Sequence, residues 1–404
     1  MNSSSHYDVI IAGGGPAGSS AAIHLAMRGA RVLLVEQKKF PRPKLCGEFI
    51  SPECAVHFER LRVADAMSAA HPADLTATVF YSRRGKNVRV PSSWFGATGV
   101  ALGLSRAEMD ERLLRRASEA GAHVLEDAHA TSVVFENQTA CGITIKQGAR
   151  ETTYHAPITV DGTGRTRALT RRLAANTKRA PRQRAPMVAF KAHLENTRIE
   201  SGTCEIYFYR RGYGGLSSIE EGLSNICFIA SARDVRACGA DADRVMREVV
   251  CENQRAAFTL SQARVHANWL AVSLEGFGRS SVAPMKGVLA IGDAASFIDP
   301  FTGSGMLMAF ESGELAAHAV ADFLNHSPGI SSLDQLQTAY TDRYRQTFNS
   351  RLTVASLLRK AAFIPDLAET AIAFFGASDH LRRKLAQATR GSRPETSTAA
   401  TRVR

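Results

Sequence analysis

The sequence predicts a doubly wound α/β domain, discontinuous along the chain, joined to an antiparallel-sheet domain and a C-terminal helical segment. Three observations predict it. The chain opens with a short apolar strand, a glycine-rich turn, a helix and a second strand, the order of a parallel βαβ unit. Its middle switches to alternating apolar and polar residues, the period of an antiparallel sheet. Near residue 287 an apolar strand returns, and long helical periodicities follow.

The elements follow in order. Asp8 to Ala12 is the first strand, residues 13–18 the turn, and a helix runs to about Arg28. Gly29 ends that helix, and Val32–Val35 is the second strand. Residues 75–90, with Arg84 and Gly85 at a turn, form a hairpin able to join the second domain. Ser105 followed by Glu108 is a capping box opening a helix through Met109, Leu113 and Ala117, which Gly121 closes. Strands follow near 123–125, 131–135 and 141–146, and Ile158, Thr159 and Val160 run into Asp161 and Gly162. Residues 204–209 and 225–229 alternate as sheet strands. Residues 287–291 return to the first sheet, and helices cover 304–325 and then about 333–364. The division expected is a dinucleotide domain in three parts (1–74, 100–185 and 281–328), a second domain in two (the hairpin 75–99 and the sheet 186–280), helices over 329–390 and a disordered tail at 391–404.

Composition narrows the function classes. With 404 residues, 45% apolar and 22% charged, the chain suits two intimate globular domains. No uncharged apolar run reaches the roughly 18–20 residues that span a bilayer, and Met1 to Ser5 is short and polar, so a cytoplasmic location is expected. The seven cysteines (46, 54, 141, 204, 227, 238, 251) form neither a CxxC pair nor a metal-ligand spacing; free thiols and no metal are expected. The net charge is +12. Residues 164–184 carry Arg165, Arg167, Arg171, Arg172, Lys178, Arg179, Arg182 and Arg184 with no acid, and 378–404 carries seven basic and two acidic residues. A solvated loop and tail explain these; an electropositive patch for a peripheral membrane or a carrier protein is the functional reading. Nucleic acid is not expected, because no aromatic-studded basic motif accompanies the charge. The oligomeric state is not legible.

Gly13-Gly14-Gly15-Pro16-Ala17-Gly18 is a G-x-G-x-x-G between a strand and a helix, and Glu36 ends the next strand 18 residues past Gly18. Gly13 permits the turn, Gly15 lets the backbone approach a pyrophosphate, and Gly18 allows close helix–sheet packing. Amides at the helix N-terminus face the phosphates, and Glu36 accepts from ribose hydroxyls. Two later motifs favour FAD over NAD. Asp161-Gly162-Thr163-Gly164 follows one strand; Gly292-Asp293 follows another and leads into Asp299-Pro300-Phe301-Thr302-Gly303-Ser304-Gly305-Met306. Asp293 suits the ribityl chain. The turn at Gly303 and Gly305 sets a second helix N-terminus, at Met306, near the flavin pyrimidine, where reduced flavin is anionic.

Taken with Arg106, Asp110 and Leu113, an R-x-x-x-D-x-x-L, this order resembles the flavoprotein superfamily built on the para-hydroxybenzoate hydroxylase fold, over roughly residues 7–325. The resemblance implies FAD contacts at Gly13, Gly15, Gly18, Glu36, Arg106, Asp161, Gly162, Asp293, Gly303 and Gly305; Pro16, Ala17, Gly292, Pro300 and Met306 complete the candidate set. Residues 40–48, ending Lys44-Leu45-Cys46-Gly47-Glu48, are similar to the K-x-C-G segment of geranylgeranyl reductase-like flavoproteins, as are 299–305 and the Gly-Tyr-Gly at 212–214. That branch implies Cys46 and Gly47 beside the flavin ring, the thiol donating a proton or orienting substrate, in C=C reduction of a hydrophobic small molecule. NAD(P)H is the transient electron donor considered. Monooxygenation of an aromatic or polyketide substrate is the alternative, and a flavin electron-transfer protein without a substrate pocket a third. The W-x-W-x-I-P mark of halogenases is absent; Trp94 and Trp269 stand far apart. His193 and His266 are read as structural, and Tyr207, Phe208, Tyr209 and Tyr213 as pocket lining or sheet core.

Overall fold

A computed structural model describes residues 6–96, 98–173, 187–274, 277–299, 301, 303–362, 369, 372 and 378–389. Pro300, Thr302, Lys178, Arg179, Arg182, Arg184 and the tail expected at 391–404 lie outside the described residues.

The parallel βαβ unit forms as expected. β1 (Val9–Ala12) and β2 (Val32–Val35) pair in parallel, joined by helix α1 (Pro16–Ala26). β12 (Ile158–Asp161) pairs with β1 on the other side, β20 (Val288–Ala290) adds to β12, and β8 (His123–Leu125) adds to β2. The order is β20-β12-β1-β2-β8. β1, β2, β12 and β20 are buried along their whole length, which is why β1, β2 and β20 read as unbroken apolar runs; β12 is equally buried but carries Thr159 and Asp161. Helices α1, α4 (Arg106–Glu119) and α9 (Gly305–Leu324) pack over one face, with α2 (Cys54–Leu61) and α3 (Ala64–Ser68) beside them. An antiparallel sheet of β9 (His129–Glu136), β10 (Thr139–Gln147) and β11 (Arg150–His155) covers the other.

The capping box at α4 is half formed. Ser105 Oγ accepts from Glu108 N–H at 3.2 Å, but Glu108 pairs with Arg112, and Glu220 instead takes the Ser105 N–H at 2.9 Å. A carboxylate far along the chain has displaced the local one.

The second sheet has eight strands. β13 (Met187–Glu195), β16 (Ser224–Ser231), β15 (Gly212–Ser218) and β14 (Thr203–Tyr209) form its centre, flanked by β17 (Arg264–Val265) and β18 (Leu270–Leu274). The hairpin of β5 (Ala77–Tyr81) and β6 (Asn87–Pro91) joins it as expected, but the β5–β14 pair is parallel, so the sheet is mixed. Three short helices also stand within the stretch read as sheet: α6 (Ala232–Ala237), α7 (Ala242–Glu248) and α8 (Gln254–Thr259). They cover its outer apolar face, where Phe190, Leu216 and Phe228 are buried against Val235, Val245 and Leu260.

Two small sheets, of β3 (Phe49–Ile50), β4 (Ala73–Leu75) and β7 (Ala101–Gly103), and of β19 (Gly278–Arg279) and β21 (Ser296–Phe297), link the two large ones. α5 (Thr170–Leu173) follows β12. α10 (Leu333–Ala362) packs on α9, and α11 (Asp379–Ala388) comes last among the described residues. Among those residues no helix is long and apolar enough to cross a membrane.

Candidate active site

A cavity of about 670 Å³ runs from the turn after β1, past Cys46, to the inner face of the eight-stranded sheet. Its two ends differ in chemistry.

The first end is built on the parallel sheet. Gly13 turns at φ +106°, and a Cβ there would meet the Gly162 oxygen at 2.3 Å. The Gly15 position opens on the cavity, with no side chain capping the α1 N-terminus behind it. The first amides of α1 therefore have no partner in their own helix or cap. Glu36 is buried and accepts from Gly14 N–H at 2.8 Å and Lys38 N–H at 3.0 Å. Arg106 forms a buried two-point pair with Asp110, at 2.8 and 2.7 Å, and Arg42 reaches the same carboxylate at 3.2 Å. Burial alone would lower the Arg106 pKa; Asp110 and the adjacent Cys46 outweigh it and hold the guanidinium charged. Burial, with the Arg106 and Arg42 charges, pushes Lys44 down, and burial raises Asp293 against the pull of Arg106, Lys44 and Arg165. Unpartnered helix amides, clustered cations, a buried carboxylate and a turn without side chains fit a dinucleotide.

Most of the candidate residues meet here. Gly13, Gly15, Pro16, Ala17, Glu36, Arg106, Gly162, Gly292, Asp293, Gly303, Gly305 and Met306 line the cavity, with Cys46 and Gly47 at its waist. Gly18 and Asp161 do not. Gly18 packs against the Gly13 carbonyl, and both Asp161 carboxylate oxygens are taken from within the chain. Oδ1 accepts from Thr163 N–H and Oγ–H, and Oδ2 from Thr170 N–H and Oγ–H, which fixes the loop entering α5. Pro300 lies outside the described residues.

The second end is a floor of side chains in register. One row runs Val272, Ala189, Ile229, Tyr213, Phe208 across β18, β13, β16, β15 and β14. The next runs Lys191, Cys227, Gly215, Ile206, Phe80, Val88. Alternation divides the four aromatic candidates: Phe208 and Tyr213 face the cavity, while Tyr207 and Tyr209 turn into the helix-covered core. Tyr213 donates to Asp299, and burial followed by that carboxylate pushes its phenol far up, so it stays neutral. Phe301 packs on Phe80, Phe208 and Tyr213. Leu358, Ile372, Leu385 and Ala386 close the apolar end.

Between the ends lies a cluster that sequence reasoning missed. Glu48, fully buried at φ +52°, accepts from Lys191 Nζ, from His193 Nε2 at 2.7 Å and from Arg106 N–H at 2.8 Å. Burial would raise its pKa, but the His193 bond and the Lys191 charge hold it below the carboxylate range. The available signal was a lysine and a histidine at alternate positions of a strand otherwise apolar from Met187 to Leu194, and an acid directly after Cys46 and Gly47. Asn225 Nδ2 donates to the Cys46 carbonyl at 3.1 Å, anchoring the loop on β16. His266, by contrast, pairs with Glu195 at the surface. All seven cysteines are free.

Comparisons with known proteins agree with this geometry. The sequence matches the FAD binding domain family over residues 6–349. It is 26% identical over 364 residues to the digeranylgeranylglycerophospholipid reductase of Methanosarcina acetivorans, covering 89% of this chain and 85% of that one. It is 27% identical over 395 residues to the menaquinone reductase of Mycolicibacterium smegmatis, covering 88% and 86%. Both relatives are in keeping with the resemblance carried by Lys44 to Gly47. Among solved structures, a flavin-dependent brominase superposes with TM-score 0.78 at 22% identity, covering 95% and 93% of the two chains. A geranylgeranyl bacteriochlorophyll reductase-like protein from Thermoplasma acidophilum superposes with TM-score 0.75 at 20% identity, covering 95% and 96%. At those identities the structural likeness shows the fold. With the match spanning most of its length and the cavity built to suit, the chain belongs to the FAD binding domain family and is an FAD-dependent oxidoreductase.

Proposed function

We propose that the protein uses FAD to reduce a C=C bond in an isoprenoid-type, largely apolar substrate. The observation that carries this reading is the continuity of the cavity: the dinucleotide end, the Cys46 waist and the apolar floor are one space. A flavin carrier with no substrate needs no such floor. The names of the two relatives support reduction of a prenyl-bearing molecule.

In this reading the Ala17 and Gly18 N–H groups at the start of α1 face the pyrophosphate, Glu36 the ribose and Asp293 the ribityl chain. The turn at Gly303 and Gly305 and the N-terminus of α9 face the flavin pyrimidine. FAD bound there supplies hydride. The residues of the chain exclude water from the floor, hold the apolar substrate against Phe208, Tyr213 and Phe301, and set the Cys46 thiol at the reacting end, where it orients the substrate. NAD(P)H is proposed as the electron donor.

Cys46→Ala tests the arrangement. FAD content is expected to stay at the wild-type level while turnover of a geranylgeranyl lipid falls on the order of tenfold or more. Unchanged kinetics would remove Cys46 from the reaction.

A further inference from the structure

A carboxylate in the cavity wall is tied to a histidine that reaches solvent. The Glu48 side chain has no exposed surface, whereas that of His193 keeps 20% of its surface exposed. His193 Nε2 lies 2.7 Å from Glu48 Oε2, while Oε1 accepts from Lys191 Nζ and Arg106 N–H. Glu48 lines the cavity two residues after Cys46, and its own N–H points at Cys46 Sγ, 3.5 Å away. Burying the ionisable pair Glu48 and Lys191 is unfavourable unless each is partnered, and apolar residues of similar volume would hold the same turn without that penalty. The charges are therefore best explained by use.

We propose that His193 and Glu48 form the proton port of the cavity: His193 takes up protons from solvent, and Glu48, steadied by Lys191, delivers them at the wall beside Cys46. The proposal rests on reading the cavity as the seat of a two-electron reduction. Saturating one C=C bond adds a hydride to one carbon and a proton to its neighbour. The electron pair arrives as hydride from reduced FAD, and the proton carries no electrons. The imidazolium Nε2–H bond breaks as the Glu48 Oε2–H bond forms. That O–H bond then breaks as the new C–H bond forms, and water reprotonates the imidazole.

The surroundings suit a conduit. Lys191 brings positive charge to the pair, the Arg106 N–H donates to Glu48, Cys46 and Cys227 lie beside it, and Asn225 gives its donor to the Cys46 carbonyl. Because its pKa is held low, Glu48 rests as a carboxylate and passes protons rather than storing them.

Two measurements on the FAD-loaded protein test the port. In the first, the dithionite-reduced protein is mixed without oxygen with a geranylgeranyl lipid in detergent, and flavin reoxidation is followed from about pH 6 to about pH 9. His193→Gln is expected to slow reoxidation about tenfold or more, to flatten the pH profile and to be rescued by added imidazole. A wild-type rate and profile in this variant would overturn the proposal. In the second, the His193 Nε2–H signal is followed by NMR without lipid. Glu48→Gln, which removes the charged acceptor 2.7 Å away, is expected to shift that signal and to speed its exchange with water; an unmoved signal would also overturn the port. Should Glu48→Gln fail to fold with Lys191 left unpaired, Glu48→Gln/Lys191→Gln removes both charges. If wild-type protein fails to reoxidise with the lipid, the reductase reading fails, and the NMR measurement alone upholds or overturns the coupling of His193 to Glu48.

Discussion

A Cβ on Gly18 would stand 1.8 Å from the Gly13 carbonyl oxygen, whereas one on Gly15 would meet nothing nearer than Arg106 Nη2 at 3.7 Å. The two glycines of one motif therefore separate fold from ligand. Gly18→Ala is expected to destabilise the protein by about 3 kcal/mol, because backbone cannot yield as a side chain can. Gly15→Val is expected to leave the melting temperature of the FAD-free protein unchanged and to abolish FAD retention; a fully yellow Gly15→Val protein would refute the site. The turn was legible because its requirements are local: three glycines, a helix and an acid at fixed spacing. Glu48 was not, because its partners Lys191 and His193 lie 143 and 145 residues away, and no local pattern announces such a pairing. Asp161 shows the converse. Its motif is plain in the sequence, yet Thr163 and Thr170 occupy its carboxylate.

Helices α1, α2 and α9 meet over the parallel sheet through a small cluster of ionisable side chains, of which His24 and His57 are buried. His24 comes from α1, His57 from α2, and Glu314 and His318 from α9. Burial, only partly opposed by Glu314, lowers His24 to about 4 from 6.5. Glu314 is lowered to about 2 from 4.5, because the His57 bond and the Arg60 charge outweigh its burial. Both folded values lie below the unfolded ones, so both groups contribute stability that is complete above the unfolded pKa and lost on acidification. The His24 share disappears between pH 6.5 and about 4, the Glu314 share between 4.5 and about 2. The His24 shift corresponds to about 3 kcal/mol. In urea titrations at a series of pH values, His24→Gln should therefore lose less stability than wild type between pH 6.5 and 4; parallel curves would contradict the assignment. At this scale the long elements were legible from their period. Helices α6, α7 and α8 were not, since 6 or 7 residues hold too few turns for a period to emerge. Their caps, Ser231, Asp241 and Asn253, are ordinary loop residues until the outer sheet face needs cover.

Across the whole molecule, the cavity exists because the two sheets are joined by short strands that bring the Cys46 loop between them. Its polar end belongs to the parallel sheet and its apolar floor to the mixed one, so neither sheet alone makes the site. The class of the fold was visible in the alternation of strand types along the chain. The parallel β5–β14 pair was not, because a hairpin that reads as antiparallel within itself says nothing about which way it docks. The central claim is that the joined cavity carries reduction rather than oxygenation, and product mass decides between them. The purified FAD-loaded protein, chemically reduced, is mixed with a geranylgeranyl lipid under labelled oxygen gas, and the lipid is recovered for mass spectrometry. A product heavier by two hydrogens and free of label is the result predicted here; a product carrying labelled oxygen would contradict it and make the protein a monooxygenase.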